Sequence, residues 1–215
     1  MMEADLKTRY DKDLAHAYDR GSPKFVYNWK RLAFAAAKLQ QGDSVVVFCC
    51  GTGKDFPLIR EHIGESGHIL GLDFSQGMLD RAADIIAANH WHNIEVRHAD
   101  VVAMDFLGKQ FDAAVCTLGL STIPDADKAW ANIKRHVVPG GKIIIGDYQL
   151  ATGWRAFFNP VIISFCRKFG GSWENHRRSR KIFLQMHQEL ANIREQQFLF
   201  NTYRYCVGEV KKTPL

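Results

Sequence analysis

The chain has little of what marks a secreted mini-domain or a membrane-spanning protein. Only five of its 215 residues are cysteine, an odd and scattered set with no Cys-x-x-Cys pair. That excludes a disulfide framework, and the cysteines and nine histidines offer no zinc-ligand spacing, so no metal is expected. Cys49 and Cys50 are adjacent and cannot bridge each other without strain. Reduced thiols imply a cytoplasmic setting. The longest apolar stretch, residues 156–166, is interrupted by Asn159 and Pro160 and is too short to cross a bilayer. No secretory leader is expected either, because the N-terminus is charged within its first nine residues. Internal repeats, low-complexity tracts and linker-like stretches are all lacking, which argues for one domain.

What is present is an ordinary globular balance, 47% hydrophobic and 24% charged, at a length suited to one α/β domain rather than two. The net charge of +5 is unevenly placed. From Ala151 onward there are 11 Lys/Arg against 4 Asp/Glu, whereas the first 150 residues hold 17 against 19. A basic C-terminal third is ordinarily a solvated helix face. It also suits an acidic substrate or peripheral contact with an anionic membrane. Nucleic acid is not expected, since the basic residues are not interleaved with a known nucleic-acid motif.

The chain is organised around residues 45–55. Val45, Val46, Val47 and Phe48 read as a buried parallel strand, followed by Cys49-Cys50-Gly51-Thr52-Gly53 and a helix-like run. Strand, glycine turn and helix bring a ligand close to bare backbone. Further strands are expected at 68–73, 93–98, 111–117 and 142–145, alternating with helices at 24–40, 55–65, 78–88 and 125–136. Pro139-Gly140-Gly141 reads as a turn before the fifth strand. Residues 172–194 read as a basic amphipathic helix with Ile182, Met186, Leu190 and Ile193 inward, and 198–205 and 206–210 as a closing antiparallel pair. The economical fold is a doubly wound, mostly parallel, seven-stranded α/β sheet.

Candidate ligand-binding residues sit just after strands, where such sheets bind ligands. Asp73 ends the second strand, placed to accept hydrogen bonds from a ribose diol; a helix-capping acid is the plainer alternative. Asp100 ends the third, placed to accept from an adenine amino group or merely to form a turn. Phe74 could lie against the adenine ring. Two cofactor classes fit this spacing, a nicotinamide dinucleotide and S-adenosylmethionine. The dinucleotide fingerprint requires a third glycine where Phe56 stands, and Asp55 would repel a pyrophosphate. A sulfonium amino acid has no phosphates to cradle, so the residues favour S-adenosylmethionine.

These segments resemble the class I S-adenosylmethionine-dependent methyltransferases over residues 43–147. The resemblance rests on Phe48-Cys49-Cys50-Gly51-Thr52-Gly53, on residues 71–79, on Ala99-Asp100-Val101 and on Pro139-Gly140-Gly141. Within that group the chain is similar to the ubiquinone/menaquinone C-methyltransferases and the phospholipid and small-amine N-methyltransferases. The resemblance implies a Rossmann-like methyltransferase fold with an N-terminal helical lid. It implies one domain over 1–215, with residues 1–40 as the cap and 151–195 as a helical insert on the substrate side. Cys50, Gly51, Thr52, Gly53, Asp73, Phe74, Met78, Asp100, Val101 and Thr117 are the expected cofactor contacts. His16 is a candidate base, with a plain surface histidine as the alternative, and Tyr18 a candidate catalytic or ligand contact. The expected acceptor is a small apolar or lipid-like molecule, a quinone-type ring or an amine head group, in a monomer or homodimer. Two positions depart from the family: Val47 replaces an acid late in the first strand, and Cys49 replaces the first glycine, harmlessly if its φ is negative. Those departures keep open a non-catalytic protein of the same fold, used for sensing or assembly.

Overall fold

The computed structural model describes residues 24–104, 108–167, 172–199 and 201–212. Its frame is one seven-stranded sheet in the order β3-β2-β1-β4-β5-β7-β6. The strands are β1 (Ser44–Phe48), β2 (His68–Asp73), β3 (Ile94–His98), β4 (Phe111–Thr117), β5 (Val137–Tyr148), β6 (Leu190–Phe198) and β7 (Tyr203–Val210). The pairings of β1, β2, β3, β4 and β5 are parallel, and β7 runs antiparallel to both neighbours. β1 sits centrally with β2 on one side and β4 on the other. The chain therefore reverses its direction of winding there, which opens a crevice beyond the carboxyl ends of β1 and β4.

Alternation along β1 builds two cores. Val46 and Phe48 face α4 (Ala126–Arg135) and α6 (Trp173–Glu189), through Trp130, Ile133, Ile182 and Phe183. Val45 and Val47 face α1 (Lys24–Ala37), α2 (Phe56–Ile63) and α3 (Gln76–Ala88), through Phe34, Ile59 and Leu79. Helices on both faces explain why the central strands are apolar throughout rather than alternating. Local chemistry sets several boundaries. Ser75, Asp125 and Ser172 each accept a backbone N–H at the start of α3, α4 and α6. Pro57 sits in the first turn of α2, where its missing N–H costs nothing.

Three expected boundaries are corrected. Pro139-Gly140-Gly141 is a bulge inside β5, not a turn before it: β4 advances from Phe111 to Ala113 while β5 advances from Val137 to Lys142. α6 stops at Glu189, so the helical insert ends there instead of at 195 and Leu190 opens a strand. The apolar spacing ran on because a bulge between Ala191 and Arg194 turns Leu190 and Ile193 to the same side, where both crowd Gly208. The closing hairpin therefore begins earlier, and Leu199, Asn201 and Thr202, expected as strand, lie in turns between β6 and β7. Residues 24–37 of the expected cap lie against the sheet as a core helix, with Ala33, Phe34 and Ala37 buried.

After β5 a 3₁₀ segment, Gly153–Phe158, leads into α5 (Asn159–Cys166). No helix among the described residues is long and apolar enough to cross a membrane.

Candidate active site

The glycine turn after β1 is a tight structure with one open place. Gly51 (φ +55°) and Gly53 (φ +80°) adopt left-handed backbone that disfavours a side chain. A Cβ on Gly51 would meet nothing within 4 Å, so the bare backbone there borders open space. A Cβ on Gly53 would fall 2.6 Å from the ring of Phe56. That ring is fully buried and also presses against Gly71, where a Cβ would lie 2.7 Å away. Phe56 thus fills from below the space that a third glycine would leave for close helix–strand packing.

Cys49 has φ +53°, so the negative φ that would make its replacement of glycine harmless is not met. A left-handed residue with a side chain costs about 1–2 kcal/mol. Its side chain finds room because the facing loop carries Gly119: a Cβ there would come within 2.5 Å of the Cys49 Cβ. The Cys116 thiol beside it, together with burial, pushes the Cys49 thiol well above its ordinary range. Burial does the same to Cys50. Both are neutral packing groups rather than nucleophiles.

Asp73 closes the turn from the end of β2. One carboxylate oxygen accepts the Gly51 N–H at 2.8 Å and the other the Ser75 N–H at 3.0 Å. Burial raises its pKa. Between β1, β2 and β4 lies a narrow cleft of about 50 Å³, lined by Gly51, Asp73, Phe74, Met78 and Thr117, and by Cys49, Leu118, Gly119 and Thr122. Thr117 Oγ1 donates to Asp55 at 2.5 Å, and the other Asp55 oxygen meets Lys30 Nζ at 2.9 Å. All three side chains are buried, and they tie α1 to the turn and to the end of β4.

A family model described as a methyltransferase domain matches residues 45–141. The demethylmenaquinone methyltransferase of Desulfitobacterium hafniense (strain Y51) is 28% identical over 185 residues, covering 83% of this chain and 70% of that protein. Its counterpart from Lactobacillus johnsonii is 30% identical over 156 residues, covering 69% and 64%. The chain belongs to the S-adenosylmethionine-dependent methyltransferases. Among solved structures, a Haemonchus contortus phosphoethanolamine N-methyltransferase 2 in complex with S-adenosyl-L-methionine has the same fold (TM-score 0.72, 14% identity). The match covers 96% of this chain and 60% of that one. So has the N-methyltransferase NodS from Bradyrhizobium japonicum WM9 with S-adenosyl-L-homocysteine (TM-score 0.66, 12% identity, 97% and 98%). The relatives are named as enzymes, which leaves the non-catalytic alternative without support.

In this methyltransferase five of the expected cofactor contacts meet at the cleft: Gly51, Asp73, Phe74, Met78 and Thr117. Cys50 and Gly53 shape the turn through backbone, the Gly53 N–H donating to the Cys50 carbonyl at 3.0 Å, and Thr52 is buried between them. Asp100 is exposed and caps the Val102 N–H at 2.8 Å, while Val101 is buried in the core. Val47 is likewise core, so its position offers the methyltransferase no polar group. Tyr18 and His16 lie outside the described residues.

Several parts of the site were not among the expected contacts. Leu118, Gly119 and Thr122 line the cleft because the loop after β4 turns back sharply, with Leu118 at φ +60°. That loop is held from behind by Asp147, which is fully buried and accepts from the Ser121 N–H (2.8 Å), the Tyr148 N–H (2.7 Å) and the Ser179 hydroxyl (3.3 Å). Burial pushes its pKa up to about 6. Away from the cleft, ligand-type atoms of His187, Glu195 and Cys206 lie within 4.8 Å of one another. The Glu195 carboxylate there is already engaged by His187 at 2.8 Å, Gln197 at 2.9 Å and Arg204 at 3.5 Å, which makes the cluster an ion-pair network.

Proposed function

We propose that the methyltransferase transfers a methyl group to a quinone-type ring. S-adenosylmethionine, when bound, supplies an electrophilic sulfonium methyl group. The donor set suits it: bare backbone at Gly51, a buried carboxylate at Asp73 that still has lone pairs for hydroxyl donors, and the Phe74 and Met78 side chains for an adenine face. Cys50, Thr52 and Gly53 hold the turn in shape, Thr117 closes the far wall, and Asp100 and Val101 border the adenine end. In-line displacement then needs chiefly alignment and exclusion of water. A base is needed only where the acceptor must lose a proton, a role that would fall to His16 or Tyr18.

One observation favours a ring over an amine. Beyond the carboxyl end of β5 lies a pocket of about 470 Å³ lined by Ala151, Trp154, Phe158, Ile162, Leu199, Thr202 and Arg155. No carboxylate is among these residues, and the one charge, Arg155, would repel an ammonium head group. An apolar ring with a hydrocarbon substituent meets no such penalty. The two relatives described above are named for a demethylated menaquinone. In this proposal the segment from 151 to the end of α6 forms the acceptor-side insert. The acceptor is drawn from a membrane surface by the basic C-terminal third.

A methyl-label transfer assay tests this, offering a short-chain demethylated quinol, phosphoethanolamine and phosphatidylethanolamine in parallel. Label is expected in the quinol alone; label in either amine and none in the quinol overturns the reading. Asp73→Asn should weaken S-adenosylmethionine binding by calorimetry by about 1–3 kcal/mol, and an unchanged affinity would remove Asp73 from the site.

A further inference from the structure

The segment after β5 turns its apolar side outward. Trp154, Phe157, Phe158 and Val161 are 77%, 82%, 51% and 69% exposed. Spacings of three, one and three residues put them on one side of the 3₁₀–α5 unit. The opposite side is anchored. Asn159 is buried and bonds the Ala151 backbone in both directions, accepting its N–H at 2.8 Å and donating to its carbonyl at 3.0 Å, and Ile163 is buried below it. The outward face is thus held in place by its own hydrogen bonds. A soluble monomer seldom leaves so many large apolar side chains together in water.

The charge around this face selects its partner. Residues 151–181 contain seven Lys/Arg and a single acid, Glu174. The Arg155 guanidinium lies 5.0 Å over the Trp154 ring. Arg167, Arg177 and Arg180 are exposed. A two-fold dimer through this face would set like charge against like charge. Aromatic rings rimmed by cations match the boundary of an anionic bilayer, where Trp sits at the headgroups and Lys/Arg meet phosphate. The same segment contributes Trp154, Arg155, Phe158 and Ile162 to the apolar pocket, so its outer side and the pocket share one wall.

We propose that Trp154, Phe157, Phe158 and Val161 insert into the surface of an anionic phospholipid bilayer, so that the apolar pocket opens onto lipid and takes its acceptor from there. The docking rests on this face alone; delivery of the acceptor rests on the quinone reading above. Docking by a few side chains and a basic rim is reversible.

Flotation on vesicles of phosphatidylcholine, alone or mixed in equal parts with phosphatidylglycerol, tests it. The protein should float with the mixed vesicles and far less with phosphatidylcholine alone. Phe157→Glu and Val161→Glu should each lower partitioning roughly tenfold or more, the weight of one large apolar side chain leaving lipid. Neither lines the pocket, so melting temperature and methyl transfer to a short-chain quinol in solution should stay unchanged. Leu32→Glu, an equally drastic change at an exposed position on α1, should float like the parent. Failure of the parent to float, or undiminished flotation of both variants, overturns the proposal. A vesicle-free dimer that Phe157→Glu dissociates would give the face to a second copy and also overturn it. Flotation as expected with no label in any quinol would leave the docking face standing and sink the acceptor reading.

Discussion

The Cβ that Gly119 lacks would fall 2.5 Å from the Cβ of Cys49. Gly119 itself has φ −109°, so its requirement is for space and not for conformation. Gly119→Ala should therefore cost about 1–3 kcal/mol by overpacking and weaken cofactor binding by pushing the turn into the cleft. Adding Cys49→Gly should restore most of both losses, since it removes the clash and the left-handed strain together. Thermal unfolding and calorimetric titration of the two single variants and the double variant measure this coupling; purely additive effects would refute it.

Lys30 and Asp55 form an ion pair with side chains only 10% and 7% exposed. Lys30→Met should destabilise the fold by roughly 3–5 kcal/mol because it strands a buried carboxylate. Asp55→Asn in the same chain should recover a large part. A denaturant double-mutant cycle checks this, with a coupling near zero counting against a buried pair.

Asp147 makes stability depend on pH. Its folded-state pKa of about 6 lies above the ordinary 3.8, so between those values the native state keeps a proton that the unfolded chain has lost. This residue's contribution thus falls as pH rises from about 4 to about 6 and is level above, by roughly 3 kcal/mol in all. Asp127, Glu189 and Glu209, held below their ordinary range chiefly by lysine partners or against a burial cost, slope the other way in any variant. The informative quantity is the difference between parent and Asp147→Asn. The parent should lose stability relative to the variant between pH 4.5 and 7 in denaturant titrations, and parallel curves would refute the assignment.

A cleft of about 50 Å³ is far smaller than the ~300–1,000 Å³ usual for ligand pockets. The Phe74 side and the loop at 118–122 must part to admit a nucleoside. Stopped-flow association with S-adenosylmethionine should therefore reach a plateau rate at high cofactor concentration. Hydrogen exchange at 118–122 should slow on binding. A rate that stays linear in concentration would mean a preformed site.

Much of this was legible, the strands and Asp73 from spacing and Thr117 from the family resemblance. Parallel strands bounded by short turns leave regular marks, and Asp73 and Thr117 come to one cleft because each ends a strand beside β1. What escaped was made by distant pairs. The φ of Cys49 depends on a missing Cβ at Gly119, and the partner of Asp55 lies on α1, so an acid read only as hostile to pyrophosphate is a structural anchor. The β6 boundary escaped because a bulge mimics helical spacing. The aromatic content of 154–161 is plain in the sequence, but Asn159, which turns that content outward, reads as an ordinary break.

The position of β7 also bears on how the chain is made. β5 pairs on one side with β4, an early strand, and on the other with β7, which is synthesised only after α6 and β6. Until residues 203–210 emerge from the ribosome, the Ile143-Ile144-Ile145 edge of a nearly finished sheet has no partner. Nascent chains halted before β7, and shortened versions lacking it, should therefore be sticky and depend on chaperones, even though the whole cofactor cleft lies upstream of the break.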